Sequence, residues 1–141
     1  MDSPQELKAR ALRHLVRREH SRDELARKLS PYAESPEILE GTLDWLESTK
    51  RLSNQRFAEA RAHALARKYG AAKIRQDLKA KGIDDYPVSA AGDAERARQI
   101  LARKYREPAT TREERAKRAR FLQGRGFSYD TIRSVLSAEL E

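Results

Sequence analysis

The chain has no cysteine, few aromatic residues and no long apolar run, and each absence narrows what it can be. Without cysteine it can form neither a disulfide framework nor a thiol-based site. Aromatic residues are 6% of the sequence, too few for a surface on which nucleic-acid bases stack. No apolar run exceeds three residues and the N-terminus lacks an apolar signal core, so we expect a cytoplasmic protein without membrane contact.

The sequence is rich in charged residues and has an excess of positive charge. Asp, Glu, Lys and Arg make up 37% of the 141 residues, and the net charge is +8. Residues 1–50 hold nine Lys and Arg against ten Asp and Glu, whereas residues 51–141 hold 21 against 12. This basic body indicates an anionic partner, either nucleic acid or an acidic protein surface, although the same charges could simply solvate the helices.

One pattern of residue types occurs three times, over residues 18–29, 67–78 and 125–136. Each copy has Arg, a variable residue, a ring and a Ser or Gly, followed by two Leu or Ile residues at four-residue spacing. Ser and Gly favour helix N-caps, and apolar residues four apart share one helix face. Each copy therefore predicts a helix end, a turn and a second short helix, and the repetition is typical of stacked helical units.

Start and stop signals predict eight helices and no strand, in a thin-cored and elongated all-α protein. Ser21 with Glu24, and Thr111 with Glu114, have the spacing of capping boxes, and Gly82 has the position of a helix-ending residue. The first helix is expected over residues 4–19. On the first helix the predicted inward residues are Leu7, Ala11, Leu12, Leu15 and Val16. On the seventh helix they are Ala116, Ala119 and Leu122, and on the last helix they are Ile132, Val135, Leu136 and Leu140.

The sequence favours binding over catalysis, and we expect neither enzymatic activity nor a cofactor. His14, His20 and His63 are scattered and pair with no acid at metal-ligand spacing, and no glycine-rich phosphate loop is present. His14 shares a helix face with Arg10, Arg13 and Arg17, which is most simply a solvated face.

Candidate contact residues are chosen from charge density and spacing. They lie on the seventh helix and around the fifth: Arg112, Arg115, Lys117, Arg118, Arg120 and Arg125, with Arg75, Lys79 and Lys81. Arg115, Arg118 and Arg125 share one face, and Arg75 and Lys79 share another. Solvation of the helices is the competing interpretation.

The order and spacing of several segments resemble the RecX family of recombination regulators. The resemblance covers roughly residues 8–137. The matching segments are Ser21-x-x-Glu24-Leu25-x-x-Lys28-Leu29, Leu52-Ser53-Asn54-Gln55-Arg56-Phe57-Ala58, Gly70-x-x-x-Ile74-x-x-x-Leu78-x-x-Lys81-Gly82-Ile83, and Phe121-Leu122-x-x-Arg125-Gly126-Phe127-Ser128-x-x-x-Ile132-x-x-x-Leu136. Asn54 departs from the Asp that is usual in the family.

The resemblance implies tandem three-helix modules in a curved, elongated molecule. We divide the chain into modules over residues 1–52, 53–107 and 108–141, and expect the last to be truncated to about two helices. It also implies a non-enzymatic, cytoplasmic regulator, expected to be a monomer, that binds the RecA recombinase filament on single- or double-stranded DNA without sequence preference. Such a regulator mainly inhibits the ATPase and strand exchange of RecA in DNA repair, recombination and the SOS response.

Two other functions fit the residues alone. A helix-turn-helix DNA-binding regulator without RecA contact would use residues 21–29 as its recognition helix. Against it, Asp23 and Glu24 would face phosphates, and base-reading side chains are missing there. A small ribosome-associated RNA-binding protein would also be basic, but it would be expected to have more aromatic residues.

Overall fold

The computed structural model of the chain describes residues 1–139, and over these residues the fold is all-helical, as predicted, without a strand. The helices are α1 (Pro4–Arg17), α2 (Arg22–Leu29), α3 (Pro36–Ser48), α4 (Asn54–Leu65), α5 (Ala71–Ala80), α6 (Asp93–Lys104), α7 (Arg112–Gly124) and α8 (Tyr129–Glu139). A short 3-10 turn, Ser30–Tyr32, follows α2. Within this part of the chain no helix is both long and apolar enough to cross a membrane.

The first of two compact units comprises Met1–Arg61 and Leu78–Tyr86. In it α1, α2 and α3 contact one another, and each contributes an apolar stripe to a common core. The buried members of this core are Leu7, Ala11, Leu25, Leu29, Leu43, Leu46 and Leu52. This core is therefore built almost entirely from leucines, and those within one helix are three or four residues apart.

The second unit comprises Ala62–Asp77 and Pro87–Glu141. Both α6 and α7 contact α8 in it. The buried core residues are Ala97, Ile100, Leu101, Leu122, Phe127, Ile132, Val135 and Leu136. α6 and α7, which lie on either side of the module boundary predicted after residue 107, both pack on α8 around this core.

The segment between α5 and α6 forms turns and no helix. Asp84, Asp85 and Pro87 disfavour helix here, since the aspartates compete for backbone hydrogen bonds and proline lacks the N–H.

Helix N-caps form where the sequence predicts them, but their acidic partners behave differently. The side-chain oxygens of Ser21 and Thr111 accept hydrogen bonds from the N–H groups of Glu24 and Glu114. Glu114 accepts in return from the backbone N–H of Thr111, whereas Glu24 makes no such bond to Ser21. Glu24 accepts instead from the guanidinium of Arg18 at 2.8 Å, because a charged donor offers a stronger bond than the cap N–H.

Three helices, α3, α5 and α7, end with the same backbone motif. A residue in the left-handed region follows each helix: Lys50 with φ 62°, Gly82 with φ 81° and Gly126 with φ 90°. After α5, the N–H of Ile83 donates to the Leu78 carbonyl at 2.9 Å, the pattern of a Schellman cap. Equivalent bonds close α3 and α7. The helix end predicted at Gly82 is confirmed.

The three repeated segments have the same local structure. α2, α5 and α8 each begin one residue after the predicted cap residue: Ser21, Gly70 and Ser128. The two aliphatic residues that follow are buried in every copy: Leu25 and Leu29, Ile74 and Leu78, Ile132 and Leu136. The ring before the cap is buried at His20 and Phe127 and half-buried at Tyr69.

Some predicted details are wrong. α1 ends at Arg17 and not at Glu19, and Val16, expected on the inward face, is 85% exposed. On α7 the expected inward Ala116 is exposed, whereas Arg118 is buried. The predicted core position Leu140 lies outside the described residues.

Candidate functional site

The cations of α7 divide into an exposed and an inward set. Arg112, Lys117 and Arg120 are exposed, whereas Arg115 is half-buried and Arg118 is only 6% exposed. The helical period explains the division, because positions 115, 118 and 122 recur at i, i+3 and i+7 and lie on the core side. The exposed set is the part of α7 that can reach an anionic partner.

Arg118 is held by the protein itself. Its guanidinium carbon lies 4.3 Å from the centre of the Tyr105 ring, and its Nη2 donates to the carbonyl of Glu107 at 2.8 Å. A buried guanidinium is tolerated where a ring face and a carbonyl replace its water. Arg118 is therefore a packing residue of the second unit, and the prediction of it as a surface contact is wrong.

Arg125, from the third repeat, is also engaged within the second unit. Its guanidinium carbon lies 5.4 Å from the ring of Tyr69 and 4.9 Å from that of Phe121, and its Nη1 donates to the Lys68 carbonyl at 3.2 Å. The side chain is half-buried. Arg125 thus ties the turn before α5 to the end of α7, and only part of it is open to a ligand.

The predicted residues around α5 belong to different units. Arg75, in the second unit, is exposed, and its Nη1 donates to the carbonyl of Val88 at 2.8 Å. Lys79 and Lys81 lie in the first unit. Lys79 is exposed, and the Nζ of Lys81 lies 3.8 Å from the Glu24 carboxylate. The second unit therefore holds Arg75 and the α7 cations, whereas Lys79 and Lys81 belong to the first unit.

Of the two carboxylates of α7, only Glu113 offsets the positive charge of its exposed face. Glu114 accepts from the backbone N–H of Thr110 at 2.8 Å and from Thr111, and these hydrogen bonds lower its pKa. Its charge thus serves the start of the helix, where the helix dipole favours an anion. Glu113 is exposed and faces outward with Lys117 and Arg120.

The histidines form no candidate catalytic group with the acids. His14 and His20 lie with their ring centres 5.7 Å apart in the first unit. Among residues 1–139 no three His, Asp or Glu side chains are placed where they could share a metal ion.

One basic surface, on α1, was not among the predicted contact sites. Arg10, Arg13, His14 and Arg17 line a groove with a volume of about 330 Å³ in the first unit. The spacing of these residues placed them on one helix face, but the sequence analysis interpreted that face as solvated. A sequence pattern alone does not show that such a face lines a groove.

The helical repeats and their basic surfaces define a regulatory or binding protein of repeated three-helix domains. The family model described as "RecX, second three-helix domain" matches residues 53–91, and "RecX, third three-helix domain" matches residues 92–136. The match to the third domain begins at Gly92, the N-cap residue of α6, in agreement with the packing of α6 and α7 on α8.

Full-length similarity extends the match across the chain. The Regulatory protein RecX of Herbaspirillum seropedicae is 48% identical over 138 residues, covering 94% of this chain and 90% of the relative. That of Ralstonia nicotianae is 43% identical, covering 94% and 87%. The crystal structure of RecX from Lactobacillus salivarius shares the fold, with a TM-score of 0.78, 22% identity and 96% of both chains covered. The chain belongs to the RecX family of regulatory proteins.

Proposed function

We propose that this protein binds the RecA recombinase filament on DNA and mainly inhibits its ATPase and strand-exchange activities. The observation that carries the proposal is the identity of 48% to a Regulatory protein RecX over 94% of the chain. Family membership implies RecA as the partner, and DNA repair and recombination as the process. We further propose that the protein is non-enzymatic, cytoplasmic and monomeric.

The exposed cations of the second unit suit contact with the DNA that a filament encloses. On α7 the exposed cations are Arg112, Lys117 and Arg120. Of the two carboxylates of this helix, Glu114 is bound at the helix N-terminus, and Glu113 is the other. Lys and Arg side chains neutralise phosphates without reading sequence. We therefore assign backbone contact to these three residues, with Arg75 and the accessible part of Arg125 beside them in the same unit. Lys79 and Lys81 remain candidates in the first unit.

Binding measurements separate this function from that of an operator-binding regulator. The affinity of the full chain is compared for random duplex, random single strand and RecA-coated single strand at one salt concentration. The proposal predicts the tightest binding to RecA-coated DNA and almost no preference among sequences. An operator-binding protein would instead prefer one duplex sequence by about 10³ or more, and that result would contradict the proposal.

The α7 assignment is tested with the double variant Lys117→Ala/Arg120→Ala, which spares the buried Arg118. The matched control is Arg98→Ala/Arg106→Ala, which removes the same charge from exposed positions at and just after α6. The α7 variant should weaken binding to DNA and lower the slope of log affinity against log salt by about two. Equal losses in both variants would show that only net charge matters.

A further inference from the structure

One face of α1 is a basic surface that the proposed α7 contact does not use. It is formed by Arg10, Arg13, His14 and Arg17, here called the α1 basic face, which encloses a groove of about 330 Å³. Arg13 and Arg17 are exposed, and among the described residues no carboxylate forms an ion pair with either. The groove is thus bordered by two cations outside any ion pair, although Arg13 also acts at longer range on the Asp2 carboxylate that Arg10 binds.

Arg10 gives the face a fixed edge. Its Nε lies 2.7 Å from Oδ2 of Asp2, and its guanidinium carbon lies 3.5 Å from the centre of the Tyr32 ring. Because Asp2 and Tyr32 hold this guanidinium, it borders the groove in one orientation. Arg10 positions the groove, while Arg13 and Arg17 supply the charge that is open to a ligand.

Other carboxylates of the first unit have partners elsewhere. Glu6 completes the capping box of Ser3, Glu19 pairs with Arg56, and Glu24 pairs with Arg18. Arg22 pairs with three acidic residues of α3: Glu40, Asp44 and Glu47. The near-neutral N-terminal third is therefore polarised, with acids gathered on α3 and unpaired cations on α1.

The local field at the groove supports this polarisation. Burial lowers the pKa of His14, and the positive charges of Lys28, Arg17, Arg10 and Arg13 lower it further. The charged groups with the largest effects on this imidazole are all cations. The His14 ring thus lies in a positive environment that would favour a bound anion.

We propose that the α1 basic face binds the phosphodiester backbone of DNA. Arg13 and Arg17 are four residues apart, which places them about 6 Å apart along the helix axis. That rise is close to two phosphate steps of one strand, at about 3.4 Å each. Guanidinium groups bind phosphate oxygens through paired hydrogen bonds. Because the proposed contact is with phosphates, which carry no sequence information directly, we expect it to be independent of sequence.

The inference deepens the proposed function and rests on it for the source of the DNA. It gives the first unit its own backbone contact, in addition to the one assigned to α7. The two contacts are separable, because each unit carries its own pair of exposed cations on one helix.

The test measures binding of the full-length variant Arg13→Ala/Arg17→Ala to a labelled single-stranded thymidine oligonucleotide and to random duplex across a salt series. The control, Arg27→Ala/Lys50→Gly, removes the same charge from the same unit; Arg27 is exposed, and glycine suits the positive φ of Lys50. Thermal unfolding of both variants confirms the fold. The α1 variant should lose affinity and about two units of salt slope, and the control should lose much less.

Two results would overturn the inference. If the α1 variant binds bare DNA with the affinity and salt slope of the wild type, this face does not bind DNA. If the variant loses affinity only for RecA-coated DNA, the face binds an acidic protein surface instead. Inhibition of RecA by the wild-type chain is measured in parallel. If the wild-type chain inhibits RecA while the α1 variant binds DNA as the wild type does, the proposed function stands and only the α1 contact fails. If the α1 variant loses DNA binding as expected but the wild-type chain does not inhibit RecA, the α1 contact stands and the proposed function fails.

Discussion

The Nε2 atom of the buried His20 lies 2.9 Å from the Nζ atom of Lys28. On the other side of the ring, Nδ1 lies 3.1 Å from the carbonyl oxygen of Arg18. A carbonyl can only accept and an ammonium can only donate, so the geometry fits a neutral imidazole with its hydrogen on Nδ1. Protonation of Nε2 would bring two donors with like charge together inside the first unit.

The first prediction is that stability falls in mild acid. Burial lowers the pKa of His20 below its ordinary 6.5, with the charges of Arg18 and Lys28 adding to the effect and the Arg18 carbonyl opposing it. The unfolded chain therefore binds this proton more readily than the folded one. The contribution to stability is complete above about pH 6.5 and is lost as pH falls below it, levelling off below the folded pKa.

Urea unfolding between pH 5 and 8 measures this decline. The variant His20→Phe, which introduces the ring found at the same position of the third repeat, should make the decline shallower, and the part that remains is that of His14, whose pKa is also lowered by burial. His63→Gln, at an exposed position of α4, should leave it in place. An unchanged decline in His20→Phe would assign the titration to another group.

The second prediction concerns Gly126. A Cβ there would lie 2.7 Å from the backbone nitrogen of Lys73, and the φ of 90° strains any other residue. Gly126→Ala should therefore reduce the free energy of unfolding by about 2 kcal/mol or more. Gly124→Ala, where a Cβ meets no atom within 4 Å, should change it by less than about 0.5 kcal/mol. Equal midpoints for the two variants in thermal unfolding would contradict the described turn.

The third prediction concerns Glu24. Hydrogen bonds from Arg18 hold its pKa at about 2, against an ordinary 4.5. Glu24→Gln should cost about 1–2 kcal/mol at pH 7, less than the full shift implies because the half-exposed Arg18 is screened by water. The cost should shrink as pH falls from 4.5 towards 2, since the wild type loses this stabilisation there. Chemical unfolding at pH 7 and pH 3 tests this, and a pH-independent cost would argue for lost packing.

The fourth prediction separates folding from binding on α7. Arg118→Ala should lower the free energy of unfolding by about 1–3 kcal/mol, because it removes the contact with Tyr105 and leaves the Glu107 carbonyl without this donor. Lys117→Ala, next to it but exposed, should leave stability within about 0.5 kcal/mol. Calorimetry of both proteins distinguishes the roles; a destabilised Lys117→Ala with an unaffected Arg118→Ala would reverse them.

The sequence predicted local structure well because helices are specified by neighbours in the chain. Ser21 and Gly82 set a helix start and a helix end through bonds to residues three or four positions away. The side chain of Asp93 shows the limit. It is buried and accepts from the N–H of Ala71, 22 residues earlier, at 3.2 Å. No local pattern encodes that contact.

The candidate site was less predictable, because it also depends on packing that no local pattern of the sequence encodes. Arg118 has the composition of a surface residue, and only the packing of Tyr105 against α7 makes its position an inward one. Conversely, Ala116 has the composition of a core residue but lies on the exposed side of α7. In a helix rich in Ala and Arg several faces look alike, so the sequence did not show which helical phase faces the core, and the packing of α7 decides it.

The most direct test of the central claim is the DNA-dependent ATPase activity of RecA, titrated with the purified wild-type protein. RecA is assembled on single-stranded DNA at fixed salt, and hydrolysis is followed from sub-stoichiometric to several-fold molar excess. Binding to the filament predicts that hydrolysis declines at or below an equimolar ratio. An ATPase rate that stays unchanged across the whole titration, on filaments of unchanged length, would contradict the proposed function.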